Sequence, residues 1–197
     1  MRFLLAFLLL ATPAISETVK GLKTVEEFDA IEDEAVRSVA LFDEMMKVIT
    51  SPRCLNCHPK GDSPLQGDDM QVHMPPVVRG EADFGAPGML CITCHGAENV
   101  PYAVGEGSIP GHQPWQLAPL ETAWVGKTAA EICAQLKDPE TNGGRDMAEL
   151  HEHFAEDGLV GWGWHPGEGR TPAPGTQEVL GRLTQSWIDT GAMCPDA

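Results

Sequence analysis

The chain has 197 residues, with 13 basic against 29 acidic side chains and a net charge of −16. That acid excess argues against nucleic acid, whose binding rests on phosphate neutralisation, and against docking on anionic lipid. Aromatic residues make up only 6% of the chain while glycine and proline number 21 and 16, so a thin side-chain core calls for a cross-link or a cofactor to fill the interior.

In chain order, Met1-Arg2 is followed by an unbroken apolar run from Phe3 to Ala11 and by small residues from Thr12 to Ser16. One positive charge, a short apolar stretch and an A-x-S ending predict a secretory signal peptide over residues 1–16. The run is too short to span a bilayer, and residues 17–197 are expected to form a single exported, soluble domain. Val25, Phe28, Ile31, Ala35, Val39, Phe42, Met46 and Ile49 recur at gaps of three and four. They predict one amphipathic helix that ends at Ser51-Pro52. Residues 59–90 and 96–126 are rich in glycine and proline and read as irregular, which is unusual for loops of that length inside a domain.

Thr128-Ala129-Ala130-Glu131 is a capping-box pattern opening a helix that runs to Lys137 and stops at Asp138-Pro139. A further helix is expected from about Asp146 to Asp157, closed by Gly158, then a loop from Gly161 to Gly175. Thr176 caps the last helix, in which Val179, Leu180, Leu183, Trp187 and Ile188 form one stripe and Gly191 ends it. With no alternating strand pattern of useful length, the expected fold class is mainly α with long irregular loops.

Four of the six cysteines stand in two identical strings, Cys54-Leu55-Asn56-Cys57-His58 and Cys91-Ile92-Thr93-Cys94-His95. C-x-x-C-H is the attachment signature of a c-type haem. Thiols one helical turn apart can bond the two vinyl groups of one porphyrin, and the histidine that follows presents its imidazole to the iron. A zinc site would close one tetrahedron with two C-x-x-C pairs and would need no histidine after each. A thioredoxin-like motif would need a βαβ setting, and none is visible. Two covalent haem c groups are therefore expected, on Cys54, Cys57 and His58 and on Cys91, Cys94 and His95. Their apolar surface would order the long loops.

On these two motifs, the export signal and the flanking terminal helices, the chain resembles the dihaem c-type cytochromes of the bacterial periplasm. The resemblance implies covalent haem attached in the periplasm, electron transfer, and first and last helices packed together, in a cytochrome c-like arrangement of helices around two covalent haems. The glycine-rich run after the second motif and Trp187-Ile188-Asp189-Thr190-Gly191 also resemble small cytochromes encoded with periplasmic molybdenum hydroxylases.

The sixth iron ligands come from an internal repeat. His73 follows His58 by fifteen residues and His112 follows His95 by seventeen, each with a proline two further on, Pro75 and Pro114. His73 and His112 are the expected ligands, either each to its own haem or exchanged between them. Met70 and Met74 are the alternatives beside His73, and a thioether would raise the potential relative to histidine. His165, in Trp162-Gly163-Trp164-His165-Pro166-Gly167, is the reserve, and its two tryptophans could pack on a porphyrin or simply anchor a loop. On the helix from 146, periodicity turns His151 partly inward, as a core histidine more than a ligand, and His153 to the other side. Cys133 and Cys194 remain, and spare cysteines in an oxidising compartment pair.

The expected function is electron transfer, as a soluble carrier or as the cytochrome subunit of a dehydrogenase. The strong negative charge would steer redox partners with a basic docking face. A dihaem enzyme, a peroxidase or sulfur-compound oxidase, is the alternative and needs one open or displaceable haem ligand. A gas sensor or assembly module is a third reading.

Overall fold

The computed structural model describes residues 21–196, so the expected signal peptide lies outside the described residues. The body is helical: α1 (Glu34–Ile49), α2 (Pro52–Leu55), α3 (Ala129–Leu136), α4 (Met147–Glu156), α5 (Gly158–Gly161) and α6 (Gln177–Asp189). Three antiparallel hairpins with strands of two residues interrupt the loops. They pair β1 (Leu65–Gln66) with β2 (Gln71–Val72), β3 (Gly85–Ala86) with β4 (Met89–Leu90), and β5 (Val100–Pro101) with β6 (Ser108–Ile109).

The helix expected over 25–49 is two elements. Val25–Phe28 is a 3-10 turn closed by a reciprocal Thr24–Glu27 capping box. The chain then turns, and Asp33 starts α1 afresh by accepting from the Val36 amide at 3.1 Å. Capping chemistry overrides an apolar spacing that continues through the break. Gly158 likewise does not stop a helix. Asp157 ends α4 and caps α5, its carboxylate accepting from Leu159 N at 2.8 Å and Val160 N at 3.2 Å. The 161–175 loop opens with a 3-10 turn, Trp162–Trp164. The helices α3, α4 and α6 start at Thr128, Asp146 and Thr176 as their caps require.

The core is built from α1, α3, α4 and α6. Phe42 of α1 meets Trp187 of α6 at 5.2 Å between ring centres. Ser38 Oγ donates to Trp187 O and accepts from Met193 N, tying the chain end to α1. Where α4 crosses α6, a Cβ on Gly181 would lie 2.6 Å from Ala155 Cβ, so only glycine allows this approach. Cys133 and Cys194 are joined in a disulfide that binds the C-terminal segment to α3.

The core stops abruptly at the first C-x-x-C-H string. Among the described residues, none between Leu55 and Trp124 belongs to the hydrophobic cluster or packs against it. That segment is held by polar ties instead. Arg79 donates to Asp83, to Ala118 O and to Gly61 O, and Arg170 reaches Ser108 Oγ at 2.8 Å and Pro166 O at 3.1 Å. Met74, Val72, Ile92, Val100 and Tyr102 in this half are at least half exposed, a density of open apolar surface that a packed protein core would cover.

Candidate functional site

Both C-x-x-C-H strings fold into the same turn. The amides of Cys57 and His58 donate to Cys54 O, each at 3.1 Å, and those of Cys94 and His95 donate to Cys91 O at 3.2 and 3.0 Å. The first turn is launched by α2, whose Pro52 occupies a position that needs no amide hydrogen. The second follows β4 directly as a short 3-10 turn. In each, the cysteines are one turn apart with the histidine on the same short coil.

Each turn opens on its own cleft. The first holds Cys54, Cys57 and His58, walled by the end of α1, by Gln135 and Leu136 of α3, by α4, and by Trp124 and Trp164. The second holds Cys91, Cys94 and His95, walled by the β1–β2 hairpin, His73, Tyr102, Trp115 and Arg170. Both are partly open to solvent. Arg53, Cys57, Gln116, Leu117 and Trp162 line both clefts and form the wall between them.

The two motif histidines are treated alike. His58 Nδ1 donates to Thr122 O and His95 Nδ1 to Pro110 O, both at 2.7 Å. His58 stacks on Trp124 at 3.6 Å with 5° between the planes, and His95 on Trp115 at 4.7 Å and 12°. A ring that donates from Nδ1 keeps its lone pair on Nε2, the arrangement found behind metal-bound imidazoles. Next to Pro110, Gly111 allows a close approach of the loop backbones, since a Cβ there would lie 2.1 Å from Glu98 O. Burial drives His58 down to about 3 and lowers His95 in the same direction, which disfavours the charged form of each ring. Burial also pushes the Cys54 thiol up to about 12 and Cys57 to about 11, and raises Cys91. These are surroundings for uncharged sulfur, as in a thioether, and poor ones for a thiolate.

His73 lies across the second cleft from His95, with ring centres 6.0 Å apart and planes at 62°. His73 of the first loop thus faces the histidine of the second motif and not that of its own. His73 and His112 share a local form: each donates from Nδ1 to the carbonyl two residues on, at 2.9 Å to Pro75 and 3.2 Å to Pro114. Each histidine also precedes a cis X–Pro bond. His112, however, lines neither cleft. Its Nε2 lies against Gly158, where a Cβ would approach it to 2.7 Å. Met74 lines the second cleft, whereas Met70 and His165 line neither.

On α4, Leu150 and Phe154 are buried and His151 is partly buried, as expected, but His153, expected on the other side, is partly buried too and lines the first cleft. Trp162 lines both clefts and Trp164 the first. Trp115, Trp124, Arg53, Arg145 and Arg170 carried no sequence signal, because their place comes from chain folding and not from spacing.

The residues present fit a porphyrin. The clefts are flat-walled with aromatic rings, each has one histidine with a free Nε2 beside a cysteine pair, and Arg53, Arg145 and Arg170 are at hand for its carboxylates. Arg53 Nε and Trp124 Nε1 are buried cleft-wall donors with no partner in the protein, an arrangement that calls for a bound acceptor. Among the described residues no three His, Cys, Asp or Glu side chains converge as a bare metal site. No helix among the described residues is long and apolar enough to cross a membrane. No protein-family model, no curated protein and no solved structure matches the chain, so the case for the site rests on its own residues.

Proposed function

We propose that this protein is a dihaem c-type cytochrome of the periplasm that transfers electrons, as a soluble carrier or as the cytochrome subunit of a dehydrogenase. The observation that carries this reading is the duplicate construction of the two clefts. Each has a C-x-x-C-H turn, a histidine anchored through Nδ1 to a backbone carbonyl, and a tryptophan stacked on that histidine. Bound haem supplies a one-electron iron centre, and the polypeptide does the rest. The cysteines would tether it, His58 and His95 would ligate the iron through Nε2, and Trp124 and Trp115 hold those imidazoles in orientation.

The shared wall supports traffic between the two centres. Cys57, Leu117 and Trp162 face both clefts, so a single layer of side chains separates the two binding spaces. The chain's net charge of −16 suits capture of a basic partner by long-range attraction.

Production in a cell that exports and matures c-type cytochromes tests the reading. Mass spectrometry of the purified chain should show two added haem masses, and spectropotentiometry should resolve two one-electron transitions. A protein without added tetrapyrrole refutes it.

A further inference from the structure

We infer that His153 is the sixth ligand of the haem in the first cleft, with Asp157 as its positioning residue. This inference rests on the dihaem reading and goes beyond it, by naming how the first iron is closed.

Helix α4 presents one stripe to that cleft: Leu150, His153, Phe154 and Asp157 all line it, at spacings of three and four residues. His153 thus sits mid-stripe, between two buried apolar side chains that fix the helix face. Among the described residues, it and His58 are the only histidines lining the cleft, and no methionine lines it. His112, the sequence repeat's own candidate, stays outside with its ring against Gly158.

The ring of His153 is already held as a ligand's ring is held. Its Nδ1 donates to Asp157 Oδ2 at 3.2 Å, which leaves the Nε2 lone pair free. Asp157 cannot swing away, because its other oxygen accepts the two amides that begin α5. A carboxylate behind an imidazole makes that imidazole a stronger electron donor. His73, across the other cleft, has only the neutral Pro75 carbonyl behind it. The two haems therefore carry histidine pairs of different basicity, with the first haem the harder to reduce on this count.

The test uses the matured, full-length holoprotein. Wild type should show two low-spin haems, both with the near-infrared charge-transfer signature of bis-histidine ligation. His153→Met should move one haem, half of the signal, to the histidine–methionine signature. His153→Ala should turn one haem high-spin and open it to carbon monoxide, and added imidazole should restore the low-spin form. His112→Ala should change neither haem. Asp157→Asn keeps the helix cap and loses the charge, so it should shift one of the two midpoint potentials upward and leave both haems bis-histidine. Two unaltered bis-histidine haems in either His153 variant, or one high-spin haem in His112→Ala, would overturn the assignment. So would a wild type with two haem masses of which one is high-spin or methionine-ligated. Unmoved potentials in Asp157→Asn would remove Asp157 from it. A wild type lacking the two haem masses refutes instead the dihaem reading beneath it.

Discussion

Replacing both Cys133 and Cys194 by alanine should destabilise the protein by about 4 kcal/mol, the loop-closure entropy released in the unfolded chain. The bridged residues are 61 apart, and the logarithmic dependence of closure entropy on that length sets the figure. Cys133 is fully buried in the α3 face of the core, so loss of its sulfur adds a small packing term in the same direction. For a domain of this size about 4 kcal/mol corresponds to a fall in Tm of roughly 8–16 °C. Guanidinium unfolding of the holoprotein, followed by far-ultraviolet circular dichroism, measures it. The midpoint should drop, and each single variant should fall nearly as far as the double, because either one breaks the bridge. The effect reaches the first cleft, since α3 supplies Gln135 and Leu136 to its wall. A double variant within about 1 kcal/mol of wild type would refute the entropic account, and two free thiols in unreduced native protein would refute the bridge itself.

Cys91→Ser with Cys94→Ser should remove one haem mass and strip amide protection from residues 59–116, which have no core of their own. Protection in α1 and α6 should survive, and hydrogen exchange of the purified variant reads both. Gly181→Ala places its Cβ 2.6 Å from Ala155 Cβ. An overpacking cost of about 1–3 kcal/mol should outweigh the gain of about 1 kcal/mol in helix propensity, so a higher melting temperature would contradict the packing of α4 on α6. Electron transfer to a basic protein partner should slow steeply as salt rises, because screening shortens the reach of a net charge of −16. Stopped-flow rates indifferent to ionic strength would remove the steering argument.

Helix starts were legible where a side-chain oxygen caps the first turn. Thr128, Asp146 and Thr176 were all readable in this way. The break before α1 was not, because apolar spacing runs on through Ile31 while Asp33 supplies a competing cap. At Asp157-Gly158 the sequence offers both a stop and a start, and the aspartate's two amide contacts decide for the start. The cysteine pairs and the two histidines beside them were legible because their chemistry demands contiguous spacing. The opposite walls of the clefts come from distant segments. His73 reaches a motif eighteen residues downstream of it, beyond what linear spacing can assign. His153 flanks the buried face of α4, and periodicity separates core from solvent without marking the edge that borders a cleft.

Arg53 gives the wall between the clefts an electrical character. Its side chain is 1% exposed, it pairs with Asp68 at 2.7 Å, and it borders both spaces. In the dihaem reading this guanidinium, offset in part by Asp68, would make either iron easier to reduce, and an electron on one iron would repel an electron arriving at the other. The second is then taken up less readily, so the two centres titrate as a coupled pair. Filling from a donor would then proceed in two graded steps, and each measured potential would belong to the pair of sites together.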